Sequence, residues 1–175
     1  MPRANKSAIP THSFMQPFTE IEGCSADAFK SSVEFPVSLE EFIQAFFGSN
    51  AFQMERTLLK IMRKPCVSPA DIKTLAAGQQ AQFAIWQVKE RSDHEIMLKV
   101  GDGPIRSWLM VLPEQNGKTS LYFGSAVLPQ GKTKNGTPQI GFLFRALIGF
   151  HNFYSRTLLN SAIQKLIQAH TKTAA

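Results

Sequence analysis

The stretch TPQIGFLFRALIGFHNFYSRTLLNSAIQKLIQA, Thr137 to Ala169, decides the fold, because its apolar residues recur with a helical period over a length no other segment matches. Thr137 and Pro138 have the residue types of an N-cap and a first helical position. Stepping about 100° per residue from Ile140 puts Phe144, Leu147, His151, Tyr154, Leu158 and Ala162 in one stripe. Arg145, Asn152, Arg156 and Asn160 fall opposite. Such a helix is roughly 45 to 50 Å long at 1.5 Å per residue, enough to cross a sheet several strands wide. Beyond Asn160 the stripe drifts through Ile163, Leu166 and Ile167, which predicts a bend or a partner surface near the end.

Upstream of this helix the period changes to two. Ala81 to Glu90, His94 to Val100, Ile105 to Leu112 and Ser120 to Leu128 read as strands of an antiparallel meander. Their connections, Arg91-Ser92-Asp93, Gly101-Asp102-Gly103-Pro104 and Glu114-Gln115-Asn116-Gly117, carry the residues that tight turns need. Ile96, Leu98 and Val100 form a face toward the helix, with Glu95 and Lys99 toward water. Phe83 and Trp86 alternate to opposite faces of one strand, which would leave a large aromatic outside the main core. Pro129 to Gly136 is a basic connecting loop.

Before the meander, Asp27 to Phe35 alternates as a first strand that Pro36 ends. Ser38 with Glu41 is a capping box ahead of Phe42, Ile43, Ala45, Phe46 and Phe47, and Gly48 stops that helix. A second helix runs from Asn50 to about Arg63, and Ser68-Pro69 with Asp71 opens a third that Gly78 closes. Residues 1–20 hold three prolines and no period and read as a flexible tail, 21–170 as one domain and 171–175 as a second tail. A strand, short helices, an antiparallel meander and a long terminal helix define an α+β architecture in which a sheet grips one helix.

Composition narrows the function classes. With 19 Lys and Arg against 13 Asp and Glu the net charge is +6, but the excess is scattered rather than gathered in a stripe, which argues against specific nucleic-acid binding. The two cysteines, Cys24 and Cys66, have no partner at metal-ligand spacing, so neither a metal nor a cofactor is expected. The N-terminus lacks the apolar core of a signal peptide, and Ile140 to Phe150 is about half the ~20 residues of a membrane span. A cytoplasmic protein without a transmembrane segment is the expectation.

The order of elements resembles the helix-grip superfamily of START lipid-binding domains, pollen-allergen-like proteins and polyketide cyclases. More locally it looks like a family of uncharacterised bacterial domains in that neighbourhood. The residues that carry the likeness are Asp27-Ala28-Phe29, Arg56-Thr57-Leu58-Leu59, Gly101 to Val111, and Gly149-Phe150-His151 with Leu158. The resemblance implies an apolar cavity under the long helix and no particular reaction, since both carriers and enzymes share the fold.

Several residues could furnish such a cavity. His151 sits mid-stripe between Leu147 and Tyr154, where an imidazole is either a hydrogen-bonded core residue or a group facing a ligand. Glu55 lies among Phe52, Leu58, Leu59 and Met62 and needs a partner such as Arg91, Arg106 or His151 if it is buried. Arg106 and Trp108 share a strand face with Met110, and Tyr122 lies on a neighbouring strand. This set could hold a ligand carboxylate or simply cover the sheet's outer face. With Phe144, Leu147 and Tyr154 these residues make the candidate site of a binding domain for a small, largely apolar molecule or lipid. The alternatives are a cyclase- or dehydratase-type enzyme using Glu55 and His151 as an acid–base pair, and an interaction module whose partner is another protein or a second copy in a homodimer.

Overall fold

A computed structural model describes residues 2–52, 68–132, 138–139 and 142–173, with the backbone alone at 138–139, 142–151 and 173. The described strands pair into a seven-stranded antiparallel sheet in the order β1-β2-β7-β6-β5-β4-β3. In sequence these are β1 (Asn5–Ser7), β2 (Ser25–Val33), β3 (Gln82–Phe83), β4 (Trp86–Arg91), β5 (Glu95–Val100), β6 (Ile105–Pro113) and β7 (Thr119–Val127). The meander runs from β3 to β7, and β7 then pairs with β2 along its whole length, from Ser25 opposite Val127 to Val33 opposite Thr119. The sheet is not closed: β1 and β3 are its edges, and both are very short, which limits pairing with other chains.

The two short helices described start where the local signals place them. In α1 (Leu39–Phe47) the Ser38 hydroxyl accepts from the Glu41 N–H while the Glu41 carboxylate accepts from the Ser38 N–H. The same reciprocal pair, Ser68 and Asp71, opens α2 (Pro69–Ala76), and Gly78 follows at φ +72°. The long helix α3 spans Phe142–Thr173, beginning later and ending later than its periodicity suggests. Pro138 and Gln139 are extended and pair with Gly131 and Lys132 in a small ribbon, β8 with β9, so Thr137-Pro138 is not the helix start. Its final turn also takes in Thr171 to Thr173, part of the expected tail.

One face of the sheet packs on the helices. Leu158, Leu159, Ala162 and Ile163 of α3 are buried with Phe42 and Phe46 of α1 and with Phe29 and Phe123 of β2 and β7. The rings of Phe46 and Phe123 lie 4.8 Å apart. Each such side chain contributes roughly 1.5–3 kcal/mol of burial, and along this half of α3 the space between helix and sheet is filled core. Phe83 and Trp86 both join this cluster, with ring centroids 5.9 Å apart. The expected single strand breaks at Ala84, which turns at φ +50°, and the break resets the alternation so that both aromatics face inward.

Much of the other face is covered, and Glu95 on it is buried, contrary to the expectation that this face meets water. Residues expected to be a tail lie across it: Met15 is 0% and Phe18 7% exposed, packed with Met97, Trp108, Tyr122, Ala28 and Ala126. The segment has no period because it crosses the sheet as irregular chain with one 3₁₀ turn, Gln16–Thr19. Glu95 fastens it. Its carboxylate Oε2 accepts from the Trp108 indole Nε1 at 2.7 Å and from the Phe14 backbone N at 2.9 Å. Two donors that burial would otherwise orphan are satisfied by one charged group.

Glu95→Ala strands both donors and is expected to lower the unfolding free energy by about 3 kcal/mol, with faster amide exchange at Phe14. An unchanged urea midpoint would show that the strap is not held there. Gly124, opposite Trp108, is the second constraint, since a Cβ on it would lie 2.9 Å from Trp108 Cε3 and 2.6 Å from the Asp27 carbonyl oxygen. Gly124→Ala is therefore expected to cost about 1–3 kcal/mol by overpacking, read from the same denaturation curves.

Candidate functional site

The sheet separates the residues that the sequence groups as one site. Trp108 and Tyr122 are buried on the face under the N-terminal strap, with ring centroids 6.0 Å apart. Arg106 Nη1 donates to the carbonyl oxygens of Gly103 at 2.8 Å and Ile105 at 3.0 Å, which ties the guanidinium to its own hairpin. Tyr154 is half-buried against the cluster on the opposite face. Glu55 lies outside the described residues, as do the side chains of Phe144, Leu147 and His151, whose backbone is helical. Arg91, a partner considered for Glu55, instead donates through Nη1 to the Leu75 carbonyl at 3.0 Å and through Nη2 to that of Ala76, capping the end of α2. Burial lowers its pKa from the usual guanidinium value.

An open groove of ≈ 440 Å³ lies elsewhere, bounded by α1, α2 and the last turns of α3. Its floor is apolar, formed by Val37, Ala45, Ile72 and Leu166. Glu41, Gln44, Lys73, Lys165 and His170 bring polar groups to its margin. One wall is a stacked pair in which the Phe35 and His170 rings lie 4.0 Å apart and within 3° of parallel.

Helix periodicity explains the assembly. Glu41 and Ala45 on α1, and Leu166 and His170 on α3, stand four residues apart and so share a face of their helix. Lys165 Nζ donates to the Gly48 carbonyl at 2.6 Å, supplying a cation and a donor just past the end of α1. A Cβ at Gly48 would lie 2.7 Å from the Gln44 carbonyl oxygen, a backbone contact that favours glycine at this end of α1. On α2, hydrogen bonds from the Ser68 backbone and hydroxyl hold the Asp71 carboxyl below the usual carboxylate range. Its contribution is complete above that range and is lost as pH falls through the lowered value.

Glu41 Oε2 is engaged at 2.8 Å by both the N–H and the hydroxyl of Ser38. Among the described residues no group of three or more His, Cys, Asp or Glu could hold a metal ion, and no helix is long and apolar enough to cross a membrane. Sequence reading missed Lys73, Lys165 and His170 because each looks like an ordinary solvated charge. The signal that pointed nearest was the drift of the apolar stripe through Ile163, Leu166 and Ile167, and Leu166 does reach the groove floor.

No protein-family model, no curated protein and no solved structure matches this chain. The α2 wall offers a direct check on how the groove is built. Ser68→Ala removes the cap and is expected to cost about 1 kcal/mol and to raise amide exchange in Pro69–Ala76 above that of α1. Equal protection in the variant and the parent would argue that packing alone fixes that wall.

Proposed function

We propose that this protein is a binding domain of the helix-grip type for a small, largely apolar molecule, and that the groove between α1, α2 and α3 is where the molecule sits. The groove's volume is the observation that carries the reading: ≈ 440 Å³ falls within the roughly 300–1,000 Å³ of small-molecule sites, with an apolar floor and a few polar groups at the margin. Filled core along Leu158 to Ile163 argues against placing the ligand under that half of the long helix. The helix-grip assignment rests on element order, with the first long strand paired to the last and a long helix packed on the face they share.

Ala169 is exposed and lines the groove, so Ala169→Trp fills it without disturbing buried residues. A neutral solvatochromic dye such as Nile red is expected to bind the parent, brighten, and raise Tm. A hundredfold excess over Kd corresponds to about 2.7 kcal/mol of stabilisation. Ala169→Trp is expected to weaken dye binding by about tenfold or more, the equivalent of one lost hydrophobic contact surface. Identical dye binding by parent and variant would move the site away from the groove.

A further inference from the structure

Charge at the groove margin narrows the class of ligand. Four titratable side chains line the groove, Glu41, Lys73, Lys165 and His170. The single acid among them is already engaged: its carboxylate accepts two hydrogen bonds from Ser38 and lies in the first turn of α1, where the helix dipole favours negative charge. Neither lysine has a carboxylate within 4.0 Å among the described residues. Lys165 uses one of its three donors on the Gly48 carbonyl, which leaves two for another acceptor.

Building on the groove as the ligand site, we propose that its ligand is a single-chain amphiphile with an anionic head, the head held by Lys73 and Lys165 and the chain laid along Val37, Ala45, Ile72 and Leu166. Lysine ammonium groups act as compact point charges rather than as planar forks, so a carboxylate and a phosphate monoester are both met by this pair. The net charge of +6 adds a long-range attraction for either. A neutral head gains no charge pairing at the margin, and a cationic head is repelled by both ammonium groups.

Displacement of Nile red from the full chain by dodecanoate, dodecyl phosphate, dodecanol and dodecyltrimethylammonium, each below its micelle concentration, tests the assignment. The two anions are expected to bind about tenfold more tightly than dodecanol, the worth of one charge-assisted hydrogen bond, and the cation more weakly still. Their relative order tells which head group the site prefers. Lys73→Gln alone, and together with Lys165→Gln, is expected to bring the anions toward the alcohol while leaving dodecanol unchanged. The Lys73 side chain is exposed and makes no hydrogen bond among the described residues, so the single variant retains the fold. Equal affinity for alcohol and anions, or anion preference that survives both substitutions, overturns the head-group assignment. Dodecanol binding that Ala169→Trp still abolishes would then leave the groove as the site. Failure of every amphiphile and of the dye overturns both.

Discussion

Nine consecutive residue pairs join β2 to β7, and the arrangement of everything else follows from that ladder. It brings a strand from the first fifth of the chain against one that precedes the long helix, so the helices between β2 and β3 must sit on a face of the sheet. Paired in this way, β2 and β7 present Phe29 and Phe123 side by side on the inner face, where α1 and α3 close over them. A ladder between residues so distant in sequence is slow to close because loop entropy must be overcome before contacts repay it. Once closed, it fixes the register of β6 and β5 as well, since each pairs with its neighbour without interruption.

The sheet is loaded on both faces, and the two loads differ in kind. Inside, phenylalanines and leucines from helices and strands form the larger apolar cluster. Outside, an irregular strap is held by apolar contact and by one buried carboxylate shared between an indole and a backbone amide. A buried acid is costly alone, and its two close donors offset that cost while fixing where Phe14 crosses the strand. Gly124 makes room for the Trp108 ring, so the strap, the indole and the glycine form a single packing unit.

The proposed ligand site lies in the helical layer for a reason of space. Where α3 crosses the sheet at Leu158 to Ile163 its side chains are buried in the core, whereas its last turns line an open trough with α1 and α2. Helix ends gather charge there. Lys73 stands in the last turn of α2, and Lys165 meets the carbonyl beyond the last turn of α1, each placed where a cation complements the dipole. Two cations gathered for the sake of helix ends thereby share the margin of one apolar trough.

The sequence by itself determined what depends on neighbours within about four residues. Ser38 with Glu41 and Ser68 with Asp71 cap their helices as written, the hairpins turn at Gly101 and Gly117, and Arg106, Trp108 and Tyr122 do share a face. Of the candidate site little was legible: Trp108 and Tyr122 belong to the strap, Tyr154 to the opposite face, and Glu55 and the His151 side chain fall outside the described residues. Only the tertiary structure decided that Ile9, Phe14, Met15 and Phe18 cover a sheet, that Glu95 is buried, and that Pro138 pairs in a ribbon rather than starting a helix. Those outcomes rest on contacts between segments tens of residues apart, such as Phe14 with Glu95 and β2 with β7. Pattern along the chain reports which residues want burial, but the partner that buries them is chosen only when the strands have paired.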